Sequence, residues 1–143
     1  MAKSNKPELV IFKNPHPERD YTITHVNPEF TSICPVTGLP DFGTITIEYV
    51  ADELCIELKA LKYYFLSFRN RGIFYEAVIN EIIEDMIGAL KPRSMTVRGD
   101  FSTRGGLHSS VEVGYLKGFD KEPKPSPRVT IKRHTKPVAK PVA

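Results

Sequence analysis

The hydrophobic period of the chain changes in its middle third, and this change constrains the fold more than any other feature. Residues 44–50 and 54–58 alternate between apolar and polar side chains, which predicts two half-buried strands joined by a short hairpin connection. Residues 60–69 are instead rich in helix formers and aromatics. Residues 74–90 place apolar side chains at steps of three and four, which predicts an amphipathic helix.

The strand pattern returns after the second predicted helix. Residues 94–101 and 107–116 have strand composition, and the turn residues between them predict a second hairpin. The predicted order is strand-strand-helix-helix-strand-strand, an α+β fold with an antiparallel four-stranded sheet and two helices on one face. Such a sheet has two exposed edges, so the sequence also predicts a homo-oligomeric ring that covers them.

Length and charge divide the chain into one domain with two flanking segments. Residues 1–20 contain three prolines and are predicted to form an irregular leader, and residues 21–116 are predicted to form the domain. Residues 117–143 hold eight Lys or Arg against Asp120 and Glu122, a charge of +6, whereas the rest of the chain carries −3. This tail is predicted to be flexible. Basic tails contact RNA in some proteins and serve solubility in more. Because the folded part is slightly acidic, we expect no direct nucleic-acid partner.

The cellular setting follows from what the sequence lacks. There is no apolar run long enough to form a transmembrane helix and no apolar stretch typical of a signal peptide. Two cysteines in such a chain favour a reduced, cytoplasmic location, although a disulfide between Cys34 and Cys55 stays open. The four histidines have no spacing typical of a metal site, so no metal is expected.

The segment ICPVTGLPDF, residues 33–42, combines a thiol and a carboxylate on one bent loop. Cys34 could be a nucleophile, which requires a local device that favours the thiolate, or simply a small buried residue. Asp41 alone is typical of a turn. Together the two side chains could supply a nucleophile and a general acid, provided that the loop folds back on itself.

Four further charged positions have ordinary structural explanations. Glu57, Lys59 and Lys62 lie where a strand is predicted to give way to a helix, and charges there commonly form a solvated face. Glu76 lies in the first turn of the second predicted helix, where the helix dipole favours a carboxylate in any protein. The residue types alone therefore indicate a small α+β oligomer with a candidate thiol site.

Four motifs in the expected order resemble the QueF family of nitrile oxidoreductases. ELKALKYY, residues 57–64, is similar to the nicotinamide-cofactor motif of that family. ICPVTGLPDF resembles its catalytic segment, FYEAVIN its substrate-anchoring segment, and FSTRGG a second cofactor contact. The resemblance covers roughly residues 20–116 and is to the branch with a single catalytic module.

The resemblance implies a fold and a reaction. The fold is the tunnelling fold, assembled into rings with sites at subunit interfaces. The reaction is the NADPH-dependent reduction of 7-cyano-7-deazaguanine, a small-molecule substrate, to 7-aminomethyl-7-deazaguanine on the way to queuosine in transfer RNA. In this scheme Cys34 adds to the nitrile carbon to form a covalent thioimide, and Asp41 donates the proton to the nitrile nitrogen.

The resemblance also implies binding residues. The positions that match substrate contacts are Ile56, Glu57, Leu58, Tyr75 and Glu76. The positions that match NADPH contacts are Leu58, Lys59, Lys62, Arg104 and Gly105. Some members have histidine at the position of Tyr75, so this chain lacks any proton-transfer role that depends on that histidine.

Three other functions are compatible with parts of the sequence. An amidinotransferase of the archaeosine pathway shares the fold and the thioimide chemistry but lacks the cofactor motif. A cyclohydrolase-like enzyme with the tunnelling fold would need zinc ligands near its cysteine, and the sequence has none with that spacing. A ring-forming RNA-binding module would depend on residues 117–143 rather than on Cys34.

Overall fold

The main sheet has four antiparallel strands in the order β2-β3-β5-β6. The structure is a computed structural model that describes residues 6–123 and 129–131. The strands of this sheet are β2 Thr22–Ile33, β3 Pro40–Val50, β5 Ser94–Arg104 and β6 Leu107–Leu116. The helices α1 Leu58–Leu66 and α2 Tyr75–Leu90 lie between the two strand pairs in sequence. The predicted α+β order is therefore confirmed.

The helix α2 provides much of the core. Its buried side chains are Val78, Ile79, Ile82, Ile83, Met86, Ile87, Ala89 and Leu90. They form the apolar stripe that the sequence predicts, and the helix packs against β5 and β6. Lys91 ends the helix in the left-handed conformation at φ 46°. Neither α1 nor α2 is long and apolar enough to cross a bilayer, and no other helix is described.

The predicted hairpin between residues 44–50 and 54–58 is wrong. The partner of β3 in the main sheet is β2, whereas β4 (Leu54–Ile56) turns away and pairs with β1 (Leu9–Lys13). The strand β2 is hidden in the sequence because Pro28 interrupts its pattern. That proline lies at a register shift between Asn27 and Phe30 on an edge strand, where the loss of an N–H donor is tolerated.

A second, three-stranded sheet has the order β4-β1-β7, with β7 at Val129–Ile131. The strand β1 lies in the segment that was expected to be irregular, and its side chains Leu9 and Ile11 belong to the core. The expectation for residues 1–20 is therefore wrong at this strand. The expected flexible tail, residues 117–143, contains β7, and most of it lies outside the described residues.

Candidate active site

The loop between β2 and β3 presents Cys34 in a tight turn. The N–H of Cys34 donates to the carbonyl of Leu39 at 2.8 Å, and the N–H of Gly38 donates to the carbonyl of Cys34 at 2.8 Å. Gly38 has φ 71°, which favours glycine. The hydroxyl of Thr37 donates to the thiol sulfur, as do the backbone N–H groups of Thr37 and Val36. These hydrogen bonds lower the pKa of Cys34, and the hydroxyl of Thr37 has the largest effect. The loop thus supplies the device that a nucleophilic thiol requires.

Backbone hydrogen bonds join this loop to the beginning of α2. The N–H of Ile33 donates to the carbonyl of Arg71 at 2.9 Å, and the N–H of Ile73 donates to the carbonyl of Ile33 at 3.1 Å. These two bonds accompany a parallel bridge between Ile33 and Gly72. As a result, Cys34 lies beside the first turn of α2.

Asp41 is a buried carboxylate with two side-chain donors. It is 4% exposed, and its Oδ1 accepts from the hydroxyl of Tyr75 at 3.1 Å and from Nη1 of Arg104. Burial raises the pKa of Tyr75, and the hydrogen bond to Asp41 raises it further. The hydroxyl therefore stays protonated and can donate. The hydrogen bond to Asp41 also raises the pKa of Arg104. The carboxylate, the phenol and the guanidinium therefore form one connected unit.

The ring of Tyr75 is held by an aromatic stack. It lies parallel to the ring of Phe101, with 3.8 Å between ring centroids and 6° between planes. Two glycines make room for Phe101, since a Cβ on Gly43 or on Gly99 would lie 2.8 Å from its ring. Gly43 on the neighbouring strand β3 and Gly99 on the same strand as Phe101 leave room for this ring, against which Tyr75 stacks.

These side chains line a cavity of about 220 Å³. Its lining residues are Cys34, Pro35, Asp41, Phe74, Tyr75, Glu76, Ser102, Arg104, Leu107 and Ser109. Five of the residues singled out in the sequence therefore meet here: Cys34, Asp41, Tyr75, Glu76 and Arg104. Gly105 follows Arg104 in the turn between β5 and β6, with φ 55°.

The remaining predicted site residues do not line this cavity. Ile56 is 2% exposed in the core, where its N–H donates to the hydroxyl of Tyr49. Glu57 caps α1 by accepting from the N–H groups of Lys59 and Ala60, at 3.0 and 2.9 Å. This cap is a local structural role, and the structure shows no contact between Glu57 and the cavity of Cys34.

Leu58 and Lys62 line a different groove, of about 390 Å³, between α1 and β2. Its floor contains the buried side chains of Phe30 and Phe65, and its cations are Lys62 and Arg69. Neither cation has a carboxylate within 4.0 Å among the described residues. The predicted substrate and cofactor residues that line a concavity thus divide between two: Tyr75, Glu76 and Arg104 line the cavity, and Leu58 and Lys62 line the groove. The other predicted residues line neither: Ile56, Glu57, Lys59 and Gly105.

Several contacts that shape the cavity have no signal in the sequence. Thr37 affects Cys34 because the turn brings the two residues together. Phe101 on β5 contacts Tyr75 on α2 through an aromatic stack. The contact between Arg104 and Asp41 joins residues 63 positions apart. It follows from the pairing of Gly43 with Phe101, which brings the end of β5 next to the start of β3.

Comparison with known proteins gives a family match and several similar relatives. The family described as "QueF-like protein" matches residues 40–119. The NADPH-dependent 7-cyano-7-deazaguanine reductase of Chlorobaculum tepidum is 58% identical over 113 residues, which cover 79% of this chain and 97% of the relative. The reductase of the same name from Chlorobium luteolum is 61% identical over 107 residues, which cover 75% of this chain and 92% of the relative.

Among solved structures, the archaeosine synthase QueF-Like in the apo form matches with a TM-score of 0.60 and 20% identity. The match covers 71% of this chain and 96% of that chain. At this identity the match supports the fold alone, and the predicted tunnelling fold is confirmed. Since both the family match and the close relatives extend over most of the folded part, the chain belongs to the QueF-like family.

Proposed function

We propose that this chain is an NADPH-dependent oxidoreductase that reduces the nitrile of 7-cyano-7-deazaguanine to the aminomethyl group, in queuosine biosynthesis. Relatives with the reductase name match the chain along 97% and 92% of their length. The observation that carries the proposal is the cavity in which Cys34, with a lowered pKa, and the buried Asp41 lie together. We place the reaction in the cytoplasm, where free thiols such as Cys34 and Cys55 persist.

The first chemical step forms a bond between the thiolate of Cys34 and the nitrile carbon. One π bond of the nitrile breaks, its electron pair moves to nitrogen, and Asp41 delivers the proton that nitrogen takes up. The proton given up by the thiol balances the proton gained by the nitrogen. A nitrile accepts hydride poorly, so the resulting thioimide divides one difficult reduction into easier steps.

The same loop serves the later steps. When bound, NADPH supplies the two hydrides that convert the nitrile carbon to an amine. The C–S bond breaks between the two reductions and returns Cys34 as a thiolate. The hydroxyl of Thr37 and the neighbouring N–H groups stabilise that leaving group as they stabilise the nucleophile.

We propose that Glu76 binds the guanine-like edge of the substrate by hydrogen bonds. Its carboxylate lies in the first turn of α2 and lines the cavity. An ionised carboxylate only accepts, and a guanine-like edge offers a ring N–H beside an amino group, so two parallel hydrogen bonds can form. Tyr75 contributes by orienting Asp41 through its hydroxyl.

The groove beside α1 has the chemistry that NADPH requires. Its apolar floor suits a flat ring, and Lys62 and Arg69 suit phosphate groups. We propose that Leu58 and Lys62 bind the cofactor there, together with the exposed Lys59 on the same helix, while Gly105 lets the turn after β5 approach it.

The separation of cavity and groove favours a homo-oligomer. A cavity of about 220 Å³ is smaller than the ~300–1,000 Å³ typical of small-molecule sites. The edges β2 and β6 of the main sheet have no partner strand among the described residues. We propose that copies associate through these edges and that α1 of one copy, with Glu57 at its start, completes the cavity of the next.

Mass spectrometry of the intact protein tests the chemistry directly. With 7-cyano-7-deazaguanine and no NADPH, we expect an adduct of the nitrile's mass on the unaltered chain and on Cys55→Ala, but none on Cys34→Ala. Addition of NADPH should then consume two cofactors per nitrile. A persistent adduct that consumes no NADPH would instead fit an amidinotransferase, and absence of any adduct would contradict the proposal.

Complementation tests the shared site. Cys34→Ala and Lys62→Ala should each be inactive or nearly so as pure oligomers. After they are unfolded together and refolded as mixtures, some interfaces carry both intact residues, and activity should return. Mixtures that stay inactive would argue that each chain holds a complete site.

A further inference from the structure

Arg104 has a contact that its resemblance-based role does not explain. The sequence motif assigns it to NADPH, yet its guanidinium lies in the cavity and donates to Oδ1 of Asp41. The aspartate side chain is 5% exposed, and no other basic side chain among the described residues forms an ion pair with it. A buried carboxylate needs such a partner, because an unpaired charge in the interior is costly.

The two donors of Asp41 leave one of its oxygens unused. Both Tyr75 and Arg104 donate to Oδ1. No described group donates to Oδ2, and the hydroxyl of Thr31 bonds only the backbone carbonyl of Asp41. The carboxylate is therefore fixed through one oxygen, while the other is available to a reacting group in the cavity.

We propose that Arg104 is a positioning residue for Asp41, and that it acts in the addition of Cys34 to the nitrile, before the cofactor takes part. By holding Oδ1, Arg104 and Tyr75 direct Oδ2 toward the reacting atoms. Oδ2 accepts the proton that leaves the thiol and passes it to the nitrile nitrogen as the S–C bond forms. The inference rests on the proposed function, since it concerns the first step of that reaction.

The test measures the rate of adduct formation without NADPH. A residue that serves only the cofactor has no effect on that rate, whereas a residue that holds the general acid does. We expect Arg104→Gln to form the adduct about tenfold more slowly, the size expected from losing one charge-assisted hydrogen bond at a half-exposed arginine. Arg104→Lys keeps the charge and should recover part of the rate.

Arg98→Gln is the matched control. Arg98 lies on the same strand and pairs with Asp100 at 2.9 Å, and its side chain is 44% exposed against 39% for Arg104. It does not line the cavity, so its replacement should leave the adduct rate unchanged. Urea unfolding of Arg104→Gln and Arg98→Gln shows whether both variants are folded under the assay conditions.

The outcomes distinguish failure of the inference about Arg104 from failure of the proposed function. If Arg104→Gln forms the adduct as fast as the unaltered chain and only raises the KM for NADPH, then Arg104 serves the cofactor and the inference is overturned. A slower adduct rate in Arg104→Gln with a normal rate in Arg98→Gln supports it. Absence of an adduct on the unaltered chain would overturn the proposed function, and the inference with it.

Discussion

Replacement of Gly99 by alanine tests how closely the protein is packed beneath its cavity. Gly99 is buried on β5, and an added Cβ would lie 2.7 Å from Cδ1 of Ile79 and 2.8 Å from two ring atoms of Phe101. Ile79 and Phe101 are 0% and 1% exposed, so neither has free space to move into. The ring of Phe101 also stacks on the ring of Tyr75.

The expected cost combines two opposing effects. Forcing a methyl group into a filled core typically costs about 1–3 kcal/mol. Removing a glycine from a strand returns about 0.5–1 kcal/mol, because the unfolded chain loses freedom. We therefore expect Gly99→Ala to lower the free energy of unfolding by about 1–2 kcal/mol, which corresponds to roughly 3–8 °C in Tm for a chain of this size.

Gly114→Ala provides the comparison, because Gly114 lies on the neighbouring strand β6 and an added Cβ there has no atom within 4 Å. Urea unfolding followed by circular dichroism should show Gly114→Ala as stable as the unaltered chain or slightly more stable. The nitrile-reducing activity of Gly99→Ala should also fall, since a displaced Phe101 moves Tyr75. Equal stability of the two variants would refute the claim that close packing at Gly99 positions the stack.

Three further changes probe single contacts. Tyr75→Phe keeps the aromatic stack but removes the hydroxyl that donates to the buried carboxylate, so kcat/KM for nitrile reduction should fall about tenfold, measured by NADPH consumption; a value within twofold of the unaltered chain would contradict this. Thr37→Val should raise the pKa of Cys34 and move the midpoint of its alkylation by iodoacetamide to higher pH, whereas an unchanged midpoint would argue against the hydroxyl as the main cause. Asp52 has a lowered pKa, chiefly through its hydrogen bond from Lys117, so its stabilisation is present above its ordinary pKa and is lost as pH falls through the lowered one. Asp52→Asn should therefore cost about 0.5–1 kcal/mol in urea unfolding at pH 7 and little at about pH 3, and an equal loss at both pH values would contradict the assignment.

The parts of the fold that sequence predicts are those whose pattern is local. The apolar stripe of α2 can be predicted because every turn of the helix places apolar side chains toward the core and polar ones toward solvent. The hairpin of β5 and β6 can be predicted because turn residues separate two segments in which apolar and polar side chains alternate. In both cases neighbours in sequence are also neighbours in space.

The misplaced strands depend on distant partners. The short strand β4 has the same alternation whether it pairs with β3 or with β1, and only the packing of the N-terminal segment decides between them. The strand β1 is five residues long and follows a proline, so its pattern is too short to identify. The partner was the missing information in each case.

The candidate site likewise has residues that the sequence identifies and contacts that it does not predict. Cys34, Asp41 and Glu76 are identified by their motifs, and the cavity brings them together. The motif identifies Arg104 as a site residue but assigns it to NADPH, and it does not predict the contact with Asp41, because that contact depends on the register of β3 against β5. Motifs thus identify the groups, while strand pairing determines which groups touch.

The bridge between Ile33 and Gly72 separates where the proposed nucleophile, Cys34, lies from how reactive its thiol is. The placement of Cys34 depends on main-chain hydrogen bonds, while the pKa of its thiol is lowered chiefly by the Thr37 side chain and then by nearby amides. Substitution of Thr37 can therefore adjust the ionisation of the sulfur without relocating it, whereas Val36 acts through its backbone N–H, which its side chain does not change. We therefore expect the reactivity of the thiol and its position to respond to different substitutions.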